Sequence, residues 1–482
     1  MRLSIAAALA FATIPAAAQT AAVADPVSAI LAEAGPGTRW GVVVADAEGR
    51  EILAINPEGR FMPASNTKLF TTAAALWAEA RGELASLDDH GAAVRIEGGG
   101  DVVLIGRGDA RLSGRADCLA RCLAALADGI AAKTRHVRDV IGDATLFPDQ
   151  RWSPGMSWNN IPSSSGTGVA ALSIDDNEIA ATVAPGAIGA PPVVVVPAYY
   201  TVRNMAVTVA GDVDTLAYDR APNGRELVVS GTLGLARAPV AWRLGVDDPA
   251  DYAAWQLAGM LRARGVRVKG AARSRYRPLV PREAAPAPVS PAPAPASGPV
   301  VLPPVVALPP SEVAVSVVTI NKLSQNLHAE LLLRRLGLAK SERSIADGQA
   351  VVSAMLAEAG VSANQVTLSD GSGMSSYNRV APRATVRLLQ WSQRQPWGAD
   401  YRASLPVGGA DGTLRRRFAG TPLQGRIFAK TGTLNATNAL AGWLMAASGK
   451  VLTFAIYAND VPEDVRATAI MDRSLLALAA AN

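Results

Sequence analysis

The sequence predicts an α+β fold: an antiparallel sheet flanked by helices, built from both ends of the chain, with a large β-rich insertion between them. Three observations carry this expectation. Trp40–Asp46 and Glu51–Ile55 are apolar, β-branched runs joined by the turn Ala47–Arg50, which reads as a hairpin. Gly442–Ala446 and Val451–Tyr457 form a second such pair around Ala447–Lys450. Between them, residues from about 83 to about 280 carry short Val/Ile strands, glycine turns and isolated helices.

The elements follow in chain order. Arg2, the apolar Leu3–Ile14 and the small residues Ala16–Ala18 read as an export signal over residues 1–18, with an apolar core too short to span a bilayer. After the first hairpin, an apolar helix opens at Ser65. Ala116–Ala132 reads as a helix holding both cysteines, Cys118 and Cys122, one turn apart. An exported chain permits a disulfide, whereas spacing of four within a regular helix opposes one, so free thiols and a bridge both stay open. Asp248–Gly265 reads as an amphipathic helix. Pro286–Pro310 alternates Ala-Pro and Val-Pro and is expected to be an extended, poorly packed linker. Arg426–Ala429 reads as a strand. A helical tail from Pro462 to Ala480 closes the chain, the proline suiting its first turn.

Composition narrows the functions open to such a fold. At 482 residues the chain is long enough for two or three domains, and 49% hydrophobic residues supply their cores. The net charge of +5 is scattered, with no basic block interleaved with aromatics, which excludes nucleic acid as a partner. It leaves peripheral contact with a membrane or an anionic polymer open. Beyond the signal, no apolar run of about 18 residues suggests a transmembrane segment.

The chemistry starts from Ser65 and Lys68. Of the seven lysines, only Lys68 has a serine three residues before it. On a helix that spacing puts both side chains on one face, and a serine hydroxyl needs a base beside it to attack at neutral pH. Alone the pattern is weak, since roughly one or two copies are expected by chance at average composition. The three histidines, His90, His136 and His328, lack the partners of a triad. There is no Gly-x-Ser-x-Gly elbow and no clustered metal-ligand set, so neither a metal nor a cofactor is expected. Two later stretches change the weight: Ser324-Gln325-Asn326 before an apolar helix, Leu327–Leu336, and Lys430-Thr431-Gly432-Thr433 after a strand. Ser-x-x-Lys, Ser-x-Asn and Lys-Thr-Gly in that order are the signature of penicillin-recognising serine enzymes.

With these motifs, and with Leu104–Ser113, Gly142–Phe147, Ala171–Asn177, Asp370-Gly371-Ser372-Gly373-Met374-Ser375 and Leu405–Leu414, the chain resembles a known family. It is the D-alanyl-D-alanine carboxypeptidase/endopeptidase branch of the class C low-molecular-mass penicillin-binding proteins. The 256 positions from Lys68 to Ser324 resemble that branch's layout, with domains inserted between the first two motifs. The expected organisation is a signal at 1–18, a penicillin-binding transpeptidase-type unit at 27–82 and 311–482, inserted domains at 83–285, one nested in the other, and a linker at 286–310.

The resemblance implies a site. Ser65 is the nucleophile, Lys68 its base, and Ser324 the proton relay to the leaving amine. Asn326 holds the substrate amide; Lys430, Thr431 and Thr433 hold the terminal carboxylate; the N–H groups of Ser65 and Thr433 form the oxyanion hole. Gly432 is expected to keep a side chain from crowding the substrate. The implied substrates are peptidoglycan stem peptides ending in D-Ala-D-Ala, trimmed or cut at cross-links, with β-lactams as covalent inhibitors. Two departures stand out: Gln325 where Asp is common, expected to point away, and Ser376 where Arg is usual. A β-lactamase of the same fold, a non-catalytic wall-binding scaffold and an esterase-like or aminopeptidase variant remain as alternatives.

Overall fold

The hairpins at the two ends of the chain meet in one sheet. The computed structural model describes residues 26–84, 91–280, 303–309, 312–339 and 344–482. Its main sheet has five strands in the order Glu51–Ile55, Arg39–Ala45, Val451–Asn459, Thr437–Met445 and Ile427–Leu434, all antiparallel. Alternate residues face opposite sides, and both sides are covered. Val42, Val44, Leu440, Phe454 and Ile456 pack on the C-terminal helix Ala467–Ala481 through Met471 and Leu475. Val43, Ala45, Ala441, Trp443 and Tyr457 pack instead on the helices Thr67–Ala80 and Pro382–Gln393. Fully burying each large side chain is worth about 1.5–3 kcal/mol, so two filled faces fix the register of every strand.

The middle of the chain forms a second core. A five-stranded sheet runs Ala272–Arg277, Val140–Pro148, Asp101–Ile105, Ala93–Glu97 and Val306–Ala307. The helices Leu123–Lys133 and Pro249–Ala263 pack on it through Leu126, Ile130, Leu257 and Leu261. The second of these starts where its sequence says it should: Asp248 accepts the Asp251 N–H at 3.0 Å and Pro249 fills the first turn. One helix belongs to both cores. Asn326–Leu336 gives Ala329, Leu332, Leu333 and Leu336 to the first and Leu327 and Leu331 to the second.

Several elements differ from expectation. The helix expected from Ala116 begins only at Leu123, with Cys122 in extended conformation as its cap. Freed from helical geometry, Cys118 and Cys122 form a disulfide with their Cα atoms 5.7 Å apart, which settles the open choice in favour of the bridge. The C-terminal helix starts at Ala467 rather than Pro462. The proline lies in the turn that leaves the sheet, after the Val461 N–H donates to Ala436. The third-motif strand does not stop at Ala429 but runs through Lys430–Thr433 to Leu434, pairing with Thr437–Leu444. The end of the expected linker is packed: Val306 and Ala307 pair with Val94 and Ala93, and Leu308 is buried. The export signal, His90 and residues 286–302 of the Pro-rich stretch lie outside the described residues.

Candidate active site

Ser65 sits on a strained turn. A short 3-10 turn, Ala64–Asn66, leads into the helix Thr67–Ala80. Ala64 has φ +47°, a left-handed conformation that a residue with a Cβ rarely adopts. Such strain persists where the surroundings over-determine it, and two backbones do so here. A Cβ on Gly373 would lie 1.9 Å from the Ala64 carbonyl oxygen, and one on Gly432 would lie 2.7 Å from that of Pro63 and 3.1 Å from the Ser65 nitrogen. The Asp370–Ser375 turn and the edge strand therefore press directly on the Ser65 turn. The crowding that Gly432 avoids is first with the protein's own backbone, not only with a substrate.

Lys68 is fully buried and lies under Ser65. Its Nζ is 2.8 Å from Ser65 Oγ, 2.7 Å from Asn326 Oδ1 and 2.5 Å from the Ser372 carbonyl. Burial pushes its pKa down to about 7, against a partial upward pull from Asp370 and Glu330. Lys430, also buried, donates to Ser324 Oγ at 2.8 Å and to the Thr431 carbonyl at 2.9 Å. Burial and the neighbouring Lys68 push it well below the ordinary lysine value. Ser324 holds φ +59° at the end of the helix Val313–Leu323, so the chain turns there and begins the helix that carries Asn326. Thr431 is partly exposed, with its hydroxyl 2.8 Å from that of Thr413. Thr433, next on the same strand face, is exposed.

The structure thus brings Ser65, Lys68, Ser324, Asn326, Lys430, Thr431, Gly432 and Thr433 into one neighbourhood, linked by the Lys68 and Lys430 contacts and by the approach of Gly432 to Ser65. Three participants carry no role in the sequence reading. The Ser372 carbonyl is the third ligand of Lys68; Thr413 adjoins Thr431; and Glu330 accepts the N–H groups of Gly371 and Ser372 at 3.0 and 2.9 Å. A main-chain carbonyl leaves no mark in a sequence. Glu330 does leave one, since it follows Asn326 by four positions and so shares its helix face.

The middle of the chain also reaches the site. Asn326 Nδ2 donates to the Ser165 carbonyl at 3.0 Å. Ser376 is exposed and its hydroxyl donates to the Gly155 carbonyl at 2.9 Å, so the serine at this position ties the turn to the middle segment. Gln325 caps its own helix, accepting the Leu327 N–H at 3.2 Å, with its amide beside Asp176 and Glu178. His328 is buried, 2.8 Å from Asp176, in a structural contact. Among the described residues, no group of three or more His, Cys, Asp or Glu side chains is placed to hold a metal ion, and no helix is long and apolar enough to cross a membrane.

A sheet closed by strands from both termini, with a buried Ser-x-x-Lys turn between a Ser-x-Asn helix start and a Lys-Thr-Gly edge strand, defines a penicillin-recognising serine enzyme. Comparison with known proteins narrows the class. The chain belongs to the D-Ala-D-Ala carboxypeptidase 3 (S13) family, whose pattern it matches over residues 23–290 and 303–479. It is 33% identical over 459 residues to a D-alanyl-D-alanine carboxypeptidase of Actinomadura sp. (strain R39), covering 90% of this chain and 80% of that one. It is 25% identical to D-alanyl-D-alanine carboxypeptidase DacB of Haemophilus influenzae, over 67% of this chain and 64% of that one. The crystal structure of penicillin binding protein 4 (dacB) from Haemophilus influenzae shares the fold, with a TM-score of 0.75 at 24% identity, covering 93% of this chain and 98% of that one.

Proposed function

We propose that this chain is an exported serine D-Ala-D-Ala carboxypeptidase that removes the terminal D-Ala from peptidoglycan stem peptides through an acyl-enzyme on Ser65. The observation that carries the reading is the set of contacts at Lys68. A neutral amine has two N–H donors and one lone pair. The Asn326 side-chain oxygen and the Ser372 carbonyl are pure acceptors and take both donors. The lone pair is left for the third neighbour, Ser65 Oγ–H. That is the geometry of a base about to take a proton.

The steps follow from the same contacts. Ser65 Oγ bonds to the carbonyl carbon of the penultimate D-Ala as its proton passes to Lys68. The oxyanion meets the main-chain N–H groups of Ser65 and Thr433, fixed donors of the kind such charge requires. The C–N bond then breaks. Ser324 Oγ already accepts from Lys430, so its own hydrogen is free for the departing nitrogen, with Lys68 restoring that proton. The terminal carboxylate lies against Lys430, whose charged form that anion favours against the burial, and against the hydroxyls of Thr431, Thr433 and Thr413. Asn326 keeps one amide hydrogen for the substrate backbone while Ser165 holds the other. Water replaces the amine and adds to the acyl carbon; the ester bond to Ser65 Oγ then breaks, the shortened peptide leaves as its carboxylate, and a water hydrogen passes to Ser65 Oγ. A β-lactam, whose leaving group stays tethered, acylates Ser65 and blocks the water step. Cross-linked peptides with a D-Ala-linked amide are a second substrate of the same chemistry.

The test is intact mass after mixing the purified chain with benzylpenicillin, beside Ser65→Ala. The expected result is one stable adduct on the wild type, none on the variant, and D-Ala release from a D-Ala-D-Ala peptide by the wild type alone. A folded wild type that forms no adduct would favour a scaffold that kept the fold.

A further inference from the structure

The Asp370–Ser375 turn supplies Lys68 with a carbonyl, and a turn of glycines and serines does not hold one carbonyl in place by itself. Two buried carboxylates grip it. Asp370 Oδ1 accepts the Gly373 N–H at 2.9 Å and the Asn378 amide at 2.7 Å; its Oδ2 accepts the Ser375 N–H at 2.6 Å. Those bonds close the turn on itself. Glu330 is different, because it comes from the helix that begins with Asn326. Its Oε1 accepts both the Gly371 and Ser372 N–H groups, while its Oε2 pairs with Arg334 at 2.9 Å. Arg334 in turn donates to the Glu330 carbonyl and to the Gln150 carbonyl. Both side chains are buried, with Glu330 6% and Arg334 2% exposed. One helix therefore fixes both pure acceptors of Lys68: Asn326 directly, and Ser372 through Glu330.

We propose that Glu330 is a positioning residue of the acylation step, clamping the Gly371 and Ser372 amides so that the Ser372 carbonyl meets the Lys68 amine. The proposal rests on Lys68 acting as the base for Ser65. Its weight lies in the divided carboxylate. An ion pair that only braced the helix would be complete with Arg334 and would have no need of the two amides. The clamp also carries charge. Lys68 faces Glu330 from one helix and Asp370 from the turn, with Lys430 on the edge strand and Arg334 behind Glu330. Removing the Glu330 charge leaves the cations less opposed, so the Lys68 ammonium gives up its proton more readily. Asp370, relieved of its like-charged neighbour, ionises more easily and offsets part of that change.

The two roles separate in two variants. Glu330→Asp keeps the charge but is one methylene short of the amides. Glu330→Gln keeps an acceptor oxygen at full reach but loses the charge. The experiment measures acylation by a fluorescent penicillin against pH for wild type and both variants, with thermal melting to show folding and saturation to separate affinity from the chemical step. Glu330→Asp is expected to slow the chemical step tenfold or more with the wild-type midpoint. Glu330→Gln is expected to move the acidic midpoint down by about half a pH unit. Folded variants with the wild-type chemical rate and midpoint, or with affinity alone reduced, would overturn the proposal. Where Glu330→Gln does not fold, Glu330→Asp decides. A wild type that is not acylated, or whose rate shows no acidic limb, rejects the reading of Lys68 instead, before any variant is compared.

Discussion

An ordinary lysine cannot do what Lys68 is asked to do. At its usual value of about 10.4, roughly one molecule in 2,500 would hold a neutral amine at pH 7. Burial alone changes that, lowering the value to about 7 even with Asp370 and Glu330 pulling it back up. The sign of the consequence is fixed. The neutral form is the base, and it prevails above the lowered value, so acylation of Ser65 should rise with pH, reach half its plateau near pH 7, and fall about tenfold per unit below that. Rates of labelling by a fluorescent penicillin between about pH 5 and about pH 9 would show this. A flat profile, or a midpoint near that of free lysine, would remove Lys68 from the role. At this scale the sequence is legible as to which side chains meet: helix and strand geometry spaces Ser65, Lys68, Ser324, Asn326 and Lys430, and their contacts form in the structure. What it hides is chemistry without a side chain. The Ser372 carbonyl became visible only once the turn was folded against Ala64.

Elements were legible where pattern alone decides them and obscure where contacts do. The first hairpin and the helix after Asp248 stand within a residue or two of expectation, since apolar runs, turn residues and an N-cap are local signals; the second hairpin keeps its turn, but its first strand starts at Thr437 rather than Gly442. The stretch after Ala116 has a helical composition, yet a disulfide and the bridge between Ser113 and Cys122 hold its start in another shape. Lys430–Thr433 reads as the end of a strand because lysine and glycine are poor strand formers. It continues as one because the partner strand Thr437–Met445 pairs with it along its length. Elsewhere, elements that are not paired approach closer than any side chain allows. Gly373, at φ +89° and against the Ala64 carbonyl, is where this matters most. Gly373→Ala combines a left-handed alanine with that clash, for a loss of at least about 1–3 kcal/mol. The Ser65 turn must give way to relieve it, so penicillin labelling should fall more than tenfold even in the fraction that remains folded at low temperature. A variant with lowered melting temperature but wild-type labelling would show that the turn yields instead of Ser65.

The whole molecule poses the question of what the large middle segment does to a site built by the two ends. The helix Asn326–Leu336 answers in packing terms, because it has no face to spare. Its first residue touches Lys68 and Ser165, one side fills the core under the main sheet, and the other fills the core of the middle segment. A helix shared in this way cannot stay in place when either core melts. Leu331 tests the coupling, for it is buried and belongs to the middle core. Leu331→Ala should cost about 2–5 kcal/mol, the range for removing a large aliphatic side chain from a packed interior. In urea, helix content and penicillin labelling should be lost together in the wild type, and together again at a lower midpoint in the variant. A first transition that unfolds the middle segment while labelling persists would mean that the ends hold Asn326 without help. The insertion would then be an accessory to the site rather than one of its walls. The Ser165 carbonyl, the Gly155 carbonyl and the His328–Asp176 contact all argue for the wall, since each ties an element of the site to the middle by a bond that unfolding must break.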